Sequence, residues 1–172
     1  RYSESLVIEY REQKKLDAKI VRLGEVLGAE VPLSVDKSWG KLIFESLMSR
    51  NLELDDDGLK STYYVHILDA VYGMIKAQFS KDLPGYVYSI AYPEPITDLS
   101  LAYRLQELVP ESGQIKFVDS KHSELNLDVQ VYKPAESLAE VGWLPKVTFN
   151  QALSQTVAYN LDLVKAGNIG ES

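Results

Sequence analysis

The chain has 172 residues, 45% of them apolar and 25% charged, a balance that suits one globular domain with a substantial core and excludes a disordered segment. Its 18 Lys and Arg against 25 Asp and Glu give a net charge of -7, a field that repels phosphate backbones and argues against nucleic acid as a partner. With no cysteine and two histidines a disulfide is excluded and a metal role is not expected; no stretch approaches the roughly 20 apolar residues that span a bilayer, so no membrane partner and a cytoplasmic location are expected.

The pattern opens with a helix. Tyr2, Leu6 and Tyr10 fall four apart, with Glu9, Arg11, Glu12 and Lys14 on the other face. Arg1-Tyr2-Ser3 starts inside that pattern without an initiator Met, as an internal fragment would. Ala18 to Leu23 is short and rich in branched residues, which predicts a strand running out into a loop with Gly24 and Gly28. After a loop from Ala29 to Lys37, Trp39, Leu42, Ile43 and Leu47 recur at helical spacing to about Ser49, with Asp36 or Ser38 available as the cap. Asp55-Asp56-Asp57-Gly58 signals a solvated turn, since calcium loops alternate their ligands and end in a distant Glu. Thr62 to Val65 reads as a strand leading to Asp69, the expected cap of a helix bearing Val71, Met74, Ile75 and Phe79.

Gly85 to Ala91 predicts another strand, Thr97-Asp98 caps a helix with Leu101, Leu105 and Leu108 on one side, and Ile115 to Val118 is a short strand. Leu125, Leu127, Val129 and Val131 alternate with polar residues, as in a strand with one wet face. Pro134 suits the first turn of a helix reaching Val141, and Gly142 its left-handed end. Thr148 and Gln151 form a capping box ahead of a long closing helix with Ala152, Leu153, Val157, Leu161 and Val164. The tail from Gly167 to Ser172 is expected to fray.

Four stretches in this order resemble one family. Tyr2-Ser3-Glu4-Ser5-Leu6 with Glu9-Tyr10 is similar to the helix that begins at a catalytic Tyr-x-x-x-Lys. Ile20-Val21-Arg22-Leu23 with Gly28 is similar to a strand with an Arg-x-x-Asn-x-x-Gly exit. Tyr64-Val65-His66-Ile67-Leu68-Asp69-Ala70-Val71 resembles an aromatic-Val-His-Val-x-Asp-Val segment, and Val141-Gly142-Trp143-Leu144-Pro145 a Leu-Gly-Trp-x-Pro element. Together they resemble the C-terminal part of extended short-chain dehydrogenases/reductases of the NAD-dependent epimerase/dehydratase type that act on nucleotide sugars.

That resemblance implies an α/β fold: the last helix and strand of a Rossmann-type domain in residues 1–30, a small mixed α/β substrate-binding lobe in 31–166, and a flexible tail in 167–172. It implies NAD as the cofactor of the whole protein, though not bound tightly by this chain alone, a nucleotide sugar as ligand, and a homodimer for the full-length protein. The catalytic elements do not occur in this sequence. No Gly-x-Gly-x-x-Gly is present, and Leu6 stands where a Tyr2 nucleus would need Lys, so no catalytic residue is assigned and the chain by itself is expected to be inactive. Leu23 and Gly24, at a strand end where open α/β sheets bind ligands, are the expected cofactor contacts.

Substrate contacts implied by the resemblance are Glu25, Lys37, Thr62, Tyr64 and Lys121. Glu25 replaces an Asn of the family pattern and Thr62 an Arg. Both changes reduce complementarity to a diphosphate, which leaves Lys37, Lys60 or Lys121 to supply a cation. The plain reading of Glu25 as a solvated loop carboxylate stands equally. His66 reads as a structural hydrogen-bonding histidine, His122 as exposed, and Trp143 as a packing anchor. The rival function is a non-catalytic binding or scaffold module that kept the fold. A hydrolase finds no nucleophile motif here.

Overall fold

The computed structural model describes residues 2–81, 85–119, 138 and 142–167. The predicted first helix is α1 (Tyr2–Lys14), which keeps Leu6 and Tyr10 exposed. Glu4 of α1 receives two bonds from Arg22, at 2.9 and 2.7 Å. Arg22 belongs to β1 (Ile20–Leu23).

The loop expected after β1 is instead a second strand, β2 (Glu25–Leu27). One extended run thereby serves two partners. β1 pairs in parallel with β6 (Val87–Ile90), Ile20 opposite Val87, and β2 pairs in parallel with β5 (Tyr64–His66), Glu25 opposite Tyr64. The change of partner occurs at Gly24: its N–H donates to the Ile90 carbonyl at 3.0 Å, and the next N–H, that of Glu25, donates to the Tyr63 carbonyl at 2.7 Å. A Cβ on Gly24 would stand 2.8 Å from the Tyr63 oxygen. Close backbone approach, not a turn, is what requires glycine there, and this is why its loop-like signal in the sequence misleads.

Helix α2 (Ser38–Leu47) starts at Lys37, whose side chain makes no capping bond; neither Asp36 nor Ser38 is the cap. A preceding turn, closed by the Lys37 N–H on the Ser34 carbonyl at 3.2 Å, fixes the start instead. A strand not foreseen, β3 (Leu52–Asp55), buries Leu52 and Leu54, exposes Glu53 and Asp55, and runs parallel to β8 (Ile115–Val118). Its two acidic residues have low strand propensity and lead straight into the Asp turn, which hides the alternation.

The strand expected at 62–65 divides in two: β4 (Ser61–Thr62) pairs antiparallel with β7 (Ile96–Thr97), while β5 joins β2. Helix α3 (Ile67–Phe79) is capped by the His66 ring, not by Asp69; Nδ1 accepts the Leu68 N–H at 3.3 Å. Asp69 lies one turn in, buried, and its Oδ2 accepts the N–H groups of Lys146 and Val147, each at 3.0 Å. Trp143 donates its indole N–H to the Asp69 carbonyl at 3.1 Å and is buried, as a packing anchor should be.

The locally encoded caps form as predicted. Thr97 accepts the Ser100 N–H at the start of α4 (Asp98–Leu108), and Thr148 with Gln151 makes the capping box of α5 (Phe149–Lys165). Leu101 and Leu105 are buried, but Leu108 is exposed. The main core lies where α2, α4 and α5 meet, around Leu42, Ile43, Leu101, Leu105 and Leu153; a second cluster joins Val65, Ala70, Tyr88, Ile90, Leu138 and Trp143. Thr156 ties α5 to the end of β2, accepting the Gly28 N–H at 2.8 Å while donating to the Ala152 carbonyl at 2.9 Å.

The result is a mixed α/β architecture. The predicted strand at 125–131, His122, the tail beyond Gly167 and, apart from buried Leu138, the predicted helix from Pro134 to Val141 lie outside the described residues. Gly142 has φ 76°, the left-handed value expected of it.

Candidate functional site

The site grows from the C-terminal end of the β1–β6 pair. Leu23 is opposite Ile90 and packs on the second core cluster; Gly24 follows with its backbone bonded to β6, and β2 then carries Glu25 away toward β5. The Glu25 carboxylate is gripped by Lys37 with both oxygens, each 2.7 Å from Nζ. This places the residue preceding α2 over the start of β2. Both side chains remain partly exposed, so the pair contributes little to stability while fixing a positive and a negative group at the strand end.

Tyr64, the register partner of Glu25, is fully buried. Burial pushes its phenol well above the ordinary range, the Asp98 carboxylate adds to this, the Thr62 side chain offsets it in part, and Glu25 raises it further. Tyr64 is therefore a neutral phenol at every physiological pH. Its ring meets Trp39 edge-on at 6.2 Å and Phe149 at 5.1 Å, and Tyr92 completes the wall at 6.4 Å from Phe149. Burial and the Asp69 charge raise the Tyr92 phenol to about 12.

The structure thus brings together Leu23, Gly24, Glu25, Lys37, Thr62 and Tyr64. Lys121 lies outside the described residues. Lys60 acts on Asp98 instead: its charge opposes the rise of that carboxyl's pKa, and its carbonyl accepts the Asp98 N–H at 3.0 Å. Asp98, which the sequence assigned only to a helix cap, is buried, its Oδ1 has no hydrogen-bond partner among the described residues, and burial raises its pKa against the opposing pull of Ser38 and Lys60, with Asp55 adding to the rise. A signal for it exists, since positions 98, 101 and 105 share the buried face of α4. The indole N–H of Trp39 and the hydroxyls of Tyr64 and Tyr92 are likewise buried without a well-formed bond. Unpaired buried polar atoms are costly and uncommon.

His66 offers no base. Its Nδ1 accepts from Leu68, so Nε2 carries the proton and donates to Gln155 Oε1 at 2.9 Å; both nitrogens are engaged in structure. Among the described residues no group of three His, Asp or Glu side chains could hold a metal. An open groove of about 480 Å³ runs along α4 from Thr97 to Glu107 beside Asn150 and shares no residue with the Glu25 cluster. Chemically, the cluster can orient a polar ligand between an ammonium, a carboxylate and a hydroxyl, with an aromatic floor behind.

No protein-family model matches the chain. Among curated proteins it is similar to the dTDP-D-glucose 4,6-dehydratases of Bos taurus and Homo sapiens, at 25% identity over 167 and 164 residues. The chain is a distant homologue of the NAD-dependent epimerases and dehydratases. The alignments take in 91% of this chain but 44% and 45% of those relatives, so it spans less than half their length.

The same fold appears in solved structures. The UDP-glucuronic acid 4-epimerase of Bacillus cereus, in complex with UDP-glucuronic acid and NAD, superposes with a TM-score of 0.72 at 20% identity, over 94% of this chain and 50% of that one. The UDP-glucose 4-epimerase of Thermotoga maritima with UDP-glucose gives 0.74 at 19% identity, covering 95% and 52%. The dTDP-glucose 4,6-dehydratase of Bacillus anthracis in complex with NAD gives 0.71 at 19%, covering 92% and 49%. These epimerase and dehydratase homologues share the mixed α/β fold described above with part of their length.

Proposed function

We propose that this chain is the C-terminal, substrate-side portion of an NAD-dependent nucleotide-sugar epimerase or dehydratase. In this reading residues 1–30 complete the dinucleotide-binding domain, residues 31–166 form the substrate lobe, and 167–172 are a flexible tail. The observation that carries it is the Glu25–Lys37 pair held over Tyr64 at the C-terminal end of parallel β1 and β6, where ligands of open α/β sheets bind, in a chain homologous to enzymes that work with NAD.

Each residue then has a task in binding. Lys37 is the cation for the phosphate of the sugar nucleotide, released from Glu25 when the ligand arrives. Thr62 offers a hydroxyl and Tyr64 the floor, and Lys121 supplies a second cation. Leu23 and Gly24 form the edge that faces NAD, although the sequence has no Gly-rich cradle to grip a dinucleotide. NAD supplies hydride transfer when bound to the whole protein. The contribution of this chain is selection and orientation of the sugar, without turnover by itself, and α1 with its exposed Leu6 and Tyr10 forms part of a homodimer contact.

Titration calorimetry with UDP-glucuronic acid tests the assignment. Lys37→Ala should weaken binding by about tenfold or more, the worth of one charge-assisted contact, whereas Glu25→Gln, which frees Lys37, should strengthen it. Indifference to both substitutions would sink the phosphate role. The second reading, a non-catalytic binding or scaffold module, is favoured by one observation: Glu25 already neutralises Lys37. Its signature is a full-length protein that binds neither NAD nor a sugar diphosphate.

A further inference from the structure

The groove along α4 is built from the side of that helix turned away from the core. Asp98, Leu101, Ala102 and Leu105 are the buried positions. Ser100, Tyr103, Arg104 and Glu107, spaced three and four apart, therefore fall together on the outer side. Leu99 and, from the first turn of α5, Asn150 also line the groove. Its volume of about 480 Å³ lies within the roughly 300–1,000 Å³ of small-molecule sites.

Two of these side chains carry opposite charges and do not meet. An Arg and a Glu three residues apart on a helix are neighbours that ordinarily attract each other. Here the Arg104 guanidinium is held elsewhere: it lies over the Phe149 ring, 5.1 Å from the centroid, and its Nη1 donates to Asn150 Oδ1. Among the described residues neither Arg104 nor Glu107 belongs to an ion pair. The stacked and bonded guanidinium is a preorganised fork, whose Nε and Nη2 have no partner among the described residues, and such a fork matches a carboxylate. Beside it the Tyr103 ring is 58% exposed, an apolar face on which a second ring or an aliphatic chain can rest.

A simple anion in this groove would meet the Glu107 carboxylate, and a simple cation would meet Arg104. A ligand with both charges a few atoms apart satisfies the two ends together, and an apolar body suits Tyr103 and Leu99. We propose that the α4 groove binds a free α-amino acid with an aromatic or large aliphatic side chain, its carboxylate on Arg104, its ammonium on Glu107 and its side chain against Tyr103. The groove shares no residue with the Glu25–Lys37 cluster, so the inference stands apart from the proposed sugar-nucleotide role.

The test titrates L-phenylalanine into the 172-residue chain and follows the backbone amide signals by nuclear magnetic resonance. N-acetyl-L-phenylalanine, which lacks the ammonium, and L-phenylalaninamide, which lacks the carboxylate, are titrated alongside. The expected result is a saturable shift confined to residues 97–107 and 149–150, with binding weaker by about tenfold or more for each blocked analogue. Arg104→Gln and Glu107→Gln should each weaken binding of L-phenylalanine to the same extent while the remaining amide signals stay in place. Glu107 is exposed and makes no bond that holds the fold, so its variant remains informative even if Arg104→Gln disturbs the packing on Phe149. No saturable shift with L-phenylalanine overturns the proposal. So does parent-like affinity for either analogue or in the Glu107→Gln variant, since the groove would then be reading one charge and not two.

Discussion

Replacing Asp69 with Ala removes one acceptor shared by two backbone donors. Oδ2 takes the N–H groups of Lys146 and Val147 at 3.0 Å each, and the residue is 4% exposed. A buried donor left without its partner costs about 1–3 kcal/mol, and bonds to an ionised acceptor lie toward the upper end. Lys146 is on an exposed stretch where water can replace part of its bond, so the pair should cost about 2–4 kcal/mol together. Urea denaturation, followed both by far-ultraviolet circular dichroism and by tryptophan fluorescence, should show a lower midpoint with an unchanged slope. Trp143 reports directly, because its indole is bonded to the carbonyl of the same residue. Asp57→Ala is the comparison: its carboxylate accepts the Leu59 N–H in an exposed turn, and its loss should cost under about 1 kcal/mol. Equal losses for the two variants would refute the view that Asp69 clamps the 143–147 segment to α3.

Thr156→Val keeps the shape of the side chain but strands the Gly28 N–H, bonded at 2.8 Å; a loss of about 1–3 kcal/mol is expected by chemical denaturation, with Thr156→Ser recovering most of it. Gly24→Ala drives a Cβ to 2.8 Å from the Tyr63 carbonyl oxygen; it should destabilise by about 1–3 kcal/mol and move the amide signals of Glu25 and Tyr64, and unmoved signals would contradict the close approach. Asp98 has a raised pKa in the folded chain, so the folded state holds its proton longer than the unfolded one. Stability contributed by this group is lost as pH rises from the ordinary aspartate range through the folded value. Asp98→Asn lacks that slope and should gain on the parent as pH rises above the ordinary aspartate range; parallel stability curves would remove the argument.

Elements coded by neighbouring residues were legible in the sequence. Thr97 and the Thr148–Gln151 box act within one turn of their own helix, so their spacing carries the whole signal. The caps of α2 and α3 were not, because a turn at Ser34 sets the first and an imidazole the second. Gly24 misled for a related reason: glycine demanded by a neighbouring strand looks the same in sequence as glycine demanded by a turn. At the site, family resemblance named Glu25, Lys37, Thr62 and Tyr64, but the bond between Glu25 and Lys37 spans 12 residues and depends on where α2 begins. Asp98 was readable from its spacing to Leu101 and Leu105, yet its acidic side chain beside a capping threonine suggests solvent.

The strand that changes partner at Gly24 has a consequence for which mutations the gene can accept. From Ile20 to Leu27 the backbone is paired to β6 and then to β5 without a slack residue. Inserting or deleting one codon there would reverse the alternation of every side chain downstream, presenting Val26 to Lys37 in place of Glu25 and breaking the grip of Thr156 on Gly28. Length variation among natural versions of this protein should therefore collect in the stretch from Ala29 to Leu33, ahead of the Ser34 turn, and spare Ile20 to Leu27.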